Sequence, residues 1–279
     1  MILSIGGYTL DTVVSSDGEV FEGVGGPPHY HTIAGLDLEE DVAVVSPVGR
    51  GFKTDLVGSV YTGFIEFFRD RLNIRFLNDY RGEYRRQKVY GGGYRLSVKP
   101  VIRFVSLIEP RHIIVSPVLD EVPVELVLQL SRTYSLSIDL QGFVRRVDGE
   151  EVVYGPIDQR IIDGEYVVVK ASIEEVRYVD IDRIKSDILL ITLGHKGCIL
   201  RFEDRYIMVP AVGISRNPTG AGDYFLMSFI SRYLDTYNAV GSAIDAVSLT
   251  TSFLGLGDFV NVRKIINDRV VEVDPNTLF

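Results

Sequence analysis

The segment Asn217–Phe225, NPTGAGDYF, gathers residue types that suit phosphoryl chemistry. Pro218 ends what precedes it, and Gly220 and Gly222 permit a sharp turn with exposed amides. An apolar helical pattern follows at Phe225, Leu226, Phe229, Ile230 and Tyr233, which sets Gly220–Asp223 at a helix N-terminus. Free N–H groups and the helix dipole favour an anion there, typically phosphate. Asp223 puts a carboxylate beside that anion, where it can take the proton of an attacking hydroxyl. Gly220, Ala221, Gly222 and Asp223 are therefore the candidate catalytic group. On these residues alone a plainer alternative stays open, a glycine-punctuated helix start with Asp223 as an ordinary first-turn acid.

The elements that must position this turn follow from periodicity. Met1–Ile5, Asp41–Ser46, Ile113–Ser116, Leu136–Leu140, Tyr166–Lys170 and Ile188–Thr192 are short β-branched runs, read as buried strands. Thr12–Val14 and Glu19–Phe21 are short strands around a turn, and Cys198–Phe202 with Tyr206–Val209 make a hairpin. Helices are expected over Glu121–Arg132, Gly220–Tyr233 and Ala239–Leu254. Leu56, Val60, Phe64, Phe67, Phe68 and Leu72 are spaced by three and four, which predicts another over Asp55–Leu72. Strands alternating with helices imply an α/β fold with a mostly parallel sheet covered on both faces, and ligands beyond the carboxyl ends of its strands.

Composition bounds the rest. The 279 residues carry a formal net charge of −9, with 46% hydrophobic and 24% charged residues, which fits a folded chain and excludes a mainly disordered one. A single α/β domain over 1–279 is expected. One cysteine, Cys198, excludes an internal disulfide and a Cys-based zinc site. The four histidines form no HExxH pattern. No apolar run approaches the roughly 20 residues of a membrane span. The N-terminus lacks the basic segment of a secretory signal, so a cytoplasmic protein is expected. Residues 74–103 differ in character: eight basic residues face only Asp79 and Glu83, and Tyr80, Tyr84, Tyr90 and Tyr94 interleave with them. They read as a polar β-hairpin standing off the main body. Nucleic-acid binding through it is disfavoured by the acidic remainder of the chain.

NPTGAGDYF resembles the D-T-x-G-A-G-D-x-F signature of the ribokinase-like (PfkB) carbohydrate kinases, with Asn217 for the first Asp and Pro218 at the second position. Other segments match in that family's order. They are GGYTLD (Gly6–Asp11), Gly25–Gly26–Pro27, VSPVGRGF (Val45–Phe52) and ITLGHKGCIL (Ile191–Leu200). The resemblance spans about residues 1–260. It implies a doubly wound sheet between helices and a small β lid, built here from about 12–23 and 74–104. It also implies ATP and Mg²⁺, a small polyol or sugar as acceptor, and a monomer or a homodimer joined through lids. By matching position, Asp11, Gly25 and Gly26 fall to the acceptor, Thr192, Gly194, Gly197 and Thr219 to the nucleotide, and Glu175 to the metal. Arg85, Arg86 and Lys88 on the hairpin are candidates to meet phosphate.

Two departures bear on the acceptor. Where the family often has Asn after the GG motif, GGPPHYH places His29 and Tyr30, and Ser172 replaces the Asn of N-x-x-E while Glu175 keeps the Glu. The KAS-x-EE segment and D-x-Q-G-x-x-R (Asp139, Gln141, Gly142, Arg145) are similar to the family's myo-inositol kinases. That resemblance gives Asp139, Gln141 and Arg145 to a polyol such as myo-inositol. Polar side chains of that type suit a polyhydroxylated ring, because a site built to hydrogen-bond a hydroxyl rejects analogues lacking it. A structural Asp139–Arg145 ion pair is the competing reading of those two residues. A nucleoside kinase of the same fold and a non-catalytic sugar or nucleotide sensor are the alternative functions.

Overall fold

Short apolar strands such as Ile2–Ile5 and His112–Val115 are buried along their whole length, as a parallel sheet covered on both faces requires. The computed structural model describes residues 1–53, 63–82 and 85–274. From the N-terminus the main elements are β1 (Ile2–Ile5), β2 (Thr9–Val14), β3 (Val20–Gly25), α1 (Pro27–Asp37), β4 (Val42–Arg50) and β5 (Gly63–Leu72). Next come β6 (Arg75–Asp79), β7 (Arg86–Tyr90), α2 (Val98–Ile108), β8 (His112–Val115), α3 (Val124–Ser131) and β9 (Leu136–Asp139). The short α4 (Gln141–Val144) leads to β10 (Arg145–Asp148), β11 (Glu151–Tyr154), β12 (Glu165–Ser172), β13 (Lys185–Thr192), β14 (Gly197–Phe202) and β15 (Arg205–Pro210). The last elements are α5 (Ala221–Thr236), α6 (Ala239–Phe253), α7 (Phe259–Asn267) and β16 (Val271–Glu272).

Ten strands make one sheet, ordered β16-β15-β14-β13-β12-β9-β8-β1-β4-β5. It is parallel from β13 to β5 and antiparallel beyond β13. Alternation along each strand sends side chains to two cores. Leu3 and Ile5 join Val101, Val105, Leu126 and Leu130 on one face, while Ile2 joins Phe229, Ala243 and Ile266 on the other. The expected α/β architecture, helices on both faces of a mostly parallel sheet, is the observed one. Asp139 and Thr192 end their strands, and Lys170 lies near the end of β12, so all three stand at the carboxyl edge.

The other six strands form a second sheet, ordered β10-β11-β7-β6-β2-β3. It occupies the place of the expected lid but is composed differently. The hairpin β10–β11 belongs to it, and α2, which begins within the range assigned to the lid, packs in the main body instead. The local signal for the added hairpin was Asp148–Gly149 between Val147 and Val152–Val153, with Gly149 at φ 62°.

The helix expected over Asp55–Leu72 is corrected by the structure. Gly63–Leu72 is strand β5, paired in parallel with β4; residues 54–62 lie outside the described ones. A spacing of four is common to both periods, since i and i+4 share a face of a helix and of a strand. Phe64 and Phe68 have that spacing. Their rings pack on Phe104 at 5.9 Å and on Tyr94 at 5.0 Å. The open edge of β4 decided between the two periods.

Glu121, in the loop before α3, ties the carboxyl edge together. Its buried carboxylate accepts the amides of Gly7 (2.8 Å), Val118 (2.8 Å) and Leu119 (2.9 Å), joining the loop after β1 to the loop after β8. Replacing it strands three buried donors. Glu121→Leu is expected to lower the unfolding free energy by about 3 kcal/mol or more, read as a lower urea midpoint with an unchanged slope.

Candidate active site

The turn before α5 folds as its residue types require. Asn217 Oδ1 accepts the Thr219 amide at 3.1 Å. A carboxamide oxygen therefore serves where the family pattern has a carboxylate. Gly220 adopts φ 80° as the N-cap, a left-handed conformation that favours glycine. A Cβ there would also lie 2.2 Å from the Tyr30 ring. The Ala221 amide is taken by the Pro218 carbonyl at 3.1 Å, so this member of the catalytic group is not an open donor. The amides of Gly220, Gly222 and Asp223 have no acceptor among the described residues, as expected of a first helical turn. The candidate anion cradle is thus reduced to these three amides.

Asp223 reaches the cleft between the two sheets and is only partly buried. Its Oδ1 accepts from Gln141 Nε2 at 3.2 Å. Burial pushes its pKa up to about 7 and Asp139 adds to the rise, while Lys170, Arg145 and the Gln141 hydrogen bond oppose it. That value suits a proton acceptor near neutrality.

Asp11, on β2, accepts from Thr9 Oγ1 at 2.6 Å. Burial raises its pKa to about 6, against the Thr9 hydrogen bond and the charges of Arg145 and Arg85. Gly25 makes room for that carboxylate, since a Cβ would lie 2.2 Å from Asp11 Oδ2. Gly26, at φ 86°, lets the chain pass Gly7 and start α1. Arg145, at the start of β10, is 8% exposed. It donates to the Val118 carbonyl at 3.3 Å, and its Nε has no partner. Its charge is felt by Asp11, Glu175 and Asp223, so it stands between the two sheets. The Asp139–Arg145 ion pair considered from sequence does not form, because Asp139 pairs with Lys170 Nζ at 2.6 Å. Asp139 has no exposed surface, and its other oxygen accepts the Gln141 amide at 3.1 Å.

Thr192, Gly194 and Gly197 come together on one cavity of about 480 Å³, walled on the far side by Val212, Val247, Leu254 and Leu256. Thr219 borders a neighbouring cavity of about 570 Å³ instead, and its hydroxyl meets Tyr80 Oη at 3.1 Å. Of the basic hairpin residues, Arg85 lines the smaller cavity. Lys88 pairs with Glu150 at 3.3 Å and Glu151 at 3.7 Å on the outer side. Arg86 is exposed on β7, where it pairs in register with Asp79.

Glu175 is buried, and its Oε2 accepts the Ser172 amide at 2.7 Å while its own amide donates to Ser172 Oγ at 3.3 Å. Serine thus maintains the turn that the expected Asn would make. Burial and Asp139 raise its pKa, and Lys170 and Arg145 oppose them. Among the described residues no group of three or more His, Cys, Asp or Glu side chains is placed to hold a metal ion. The donor set therefore fits a magnesium ion carried by phosphate oxygens and water better than one caged by protein.

Sequence reasoning missed Lys170, which is 4% exposed at the site's centre. The available signal was a lysine ending the apolar run Tyr166–Val169. Against solved structures the chain superimposes on a pyrophosphate-dependent kinase of the ribokinase family, complexed with a pyrophosphate analog and myo-inositol. The TM-score is 0.77, with 19% identity, over 96% of this chain and 100% of that one. The chain has the ribokinase fold. It also superimposes on Arabidopsis thaliana ribokinase complexed with ribose and ATP, with a TM-score of 0.69, 13% identity, and coverage of 96% and 97%. Among curated proteins, an inositol 3-kinase of Oryza sativa subsp. japonica is 28% identical over 166 residues, 55% of this chain and 38% of that protein. One from Zea mays is 30% identical over 126 residues, 43% of this chain and 33% of that protein. The aligned segments thus span only 38% and 33% of these plant relatives. No family model matches the chain. The ribokinase-like resemblance seen in the motifs agrees with the fold of these structures, and inositol kinases are among the proteins that both comparisons find. Among the described residues no helix is long and apolar enough to cross a membrane.

In this ribokinase-fold cleft Asp223 must be ionised to accept a proton, and its pKa is raised. For a reaction in which Asp223 takes the proton, kcat/KM is therefore expected to climb with pH through about 7, as a pH–rate profile would read. Asp223→Asn is expected to cut kcat by about a hundred-fold or more while nucleotide still binds, measured by turnover and by calorimetric titration.

Proposed function

We infer that this chain is an ATP-dependent phosphotransferase acting on a hydroxyl of a small polyol or sugar, with myo-inositol as the leading acceptor. The observation that carries the reading is the half-buried Asp223 carboxylate beside the three open amides of the α5 turn. The acceptor hydroxyl would give its proton to the Asp223 oxygen not held by Gln141 as its own oxygen attacks the terminal phosphorus of ATP, while the bond from that phosphorus to the β–γ bridging oxygen breaks and ADP leaves with that oxygen. The amides of Gly220, Gly222 and Asp223 would take the charge of the transferring group, preorganised and needing no Walker A lysine. Asp11 and Arg145 would hold the acceptor's other hydroxyls. The second sheet would cover the acceptor and exclude water, with Arg85 over the donor phosphates. Magnesium, when bound, would offset the charge of the donor phosphates, and Glu175 would be the carboxylate to hold it through water.

The acceptor reading is supported by the names of the inositol 3-kinase relatives and by the myo-inositol bound to one structural neighbour. The donor has two precedents among the neighbours, ATP and pyrophosphate. The lining of the 480 Å³ cavity favours ATP, because Val212, Val247, Leu254 and Leu256 offer apolar surface that a purine would cover and pyrophosphate would not. A screen of inositols, pentoses, hexoses and nucleosides, each with ATP and with pyrophosphate, tests both halves; no turnover with any pair would overturn the reading. Leu256→Trp, which fills that wall, is expected to raise the KM for ATP about ten-fold or more and to leave the acceptor KM near its original value.

A further inference from the structure

Asp139 and Gln141 carry side chains suited to binding a polyol, yet their contacts face inward. Lys170 Nζ donates to Asp139 Oδ2 at 2.6 Å. Asp139 Oδ1 accepts the Gln141 amide at 3.1 Å, and Gln141 Nε2 donates to Asp223 Oδ1 at 3.2 Å. These bonds form one unbroken chain from the end of β12, through the end of β9 and the first turn of α4, to the first turn of α5. Lys170 and Asp139 are 4% and 0% exposed, so neither can leave its partner without stranding a charge in the interior. The same ammonium reaches the anion turn, since a Cβ on Gly222 would lie 3.3 Å from Lys170 Nζ. A fixed cation is thus set against the turn and, through Gln141, against the base.

Resting on the phosphotransferase reading above, we propose that Lys170, Asp139 and Gln141 are positioning residues: the buried ion pair anchors Gln141, and Gln141 fixes one Asp223 oxygen so that the other meets the acceptor hydroxyl. Gln141 is then not an acceptor ligand. Several groups face Asp223. They are Gln141 on α4, Arg145 on β10, Asp139 on β9, Lys170 on β12 and Tyr30 on α1, the last through the effect of Asp223 on its phenol. Lys170 favours the ionised base and Asp139 disfavours it. The two members of one ion pair therefore act on the base with opposite sign.

The test is steady-state kinetics of the full chain across pH for Gln141→Leu, Asp139→Asn and Lys170→Met, with ATP and the acceptor found by the screen. Each variant is expected to lose about ten-fold or more in kcat with both KM values within about three-fold of the parent. The acid limb of the profile should rise for Lys170→Met and Gln141→Leu and fall for Asp139→Asn. A structural role alone would not move the limb in opposite directions for the two partners of one ion pair. If Lys170→Met does not fold, the other two arms decide. The proposal is overturned if Gln141→Leu puts its loss into the acceptor KM, or if kcat and the limb stay at parental values. Parental activity with unaffected variants sinks this inference alone, whereas an inactive parent sinks the phosphotransferase reading and this inference with it.

Discussion

Charges withdrawn from water at the carboxyl edge of the sheet must be compensated by one another, and the rest of the site is arranged around that need. Asp139, Glu175 and Asp223 converge there, and Lys170 answers to all three. Burial works against the lysine's charge, but the carboxylates outweigh it and hold its pKa above the ordinary value. Arg145 supplies a second cation from the other side of the cleft. Because each group is pinned by strand ends or helix starts, the balance is set by the backbone and not by mobile side chains. Asp223 keeps a net deficit of compensation, which raises its pKa to about 7, the range the proposed role as a base calls for.

The second sheet and its turns meet the loop before α5 through weak contacts. The Ser16 amide donates to the Arg216 carbonyl at 3.2 Å, Arg216 pairs with Asp17 at 2.7 Å, and Tyr80 meets Thr219. Arg216 is largely exposed, and ion pairs of that kind contribute little. Little energy therefore ties the second sheet to that loop, which is compatible with the covering role proposed for it. Its continuity with α4 matters as well: β10 begins at Arg145, so this sheet contributes a cation whose charge acts on Asp223.

How much was legible depended on whether the determining interactions were local. The α5 turn was readable because glycine conformation, Asx bonding and free first-turn amides arise within a few residues. Asn217 in place of the family's Asp did not obscure it, since either side chain offers the oxygen that Thr219 needs. Asp55–Leu72 misled because its apolar spacing of four satisfies both periods, and only the neighbouring edge of β4 selects the strand. Asp139 was recognised as a residue of the site, but its partner was not. Lys170 is 31 positions away in sequence and becomes adjacent only when β9 and β12 pair side by side.

By itself the amino-acid sequence determined the α/β class, the glycine-capped start of α5 and the aspartate in its first turn, since local backbone preference and hydrophobic periodicity specify these. Tertiary structure alone decided which polar groups face one another across strands far apart in the chain. It brought a lysine at the end of an apolar strand under Gly222, turned Asp139 inward, and added the β10–β11 hairpin to the second sheet. Charge partners in an interior are chosen by proximity in space, and proximity is a property of the packed sheet that no short stretch of residues carries.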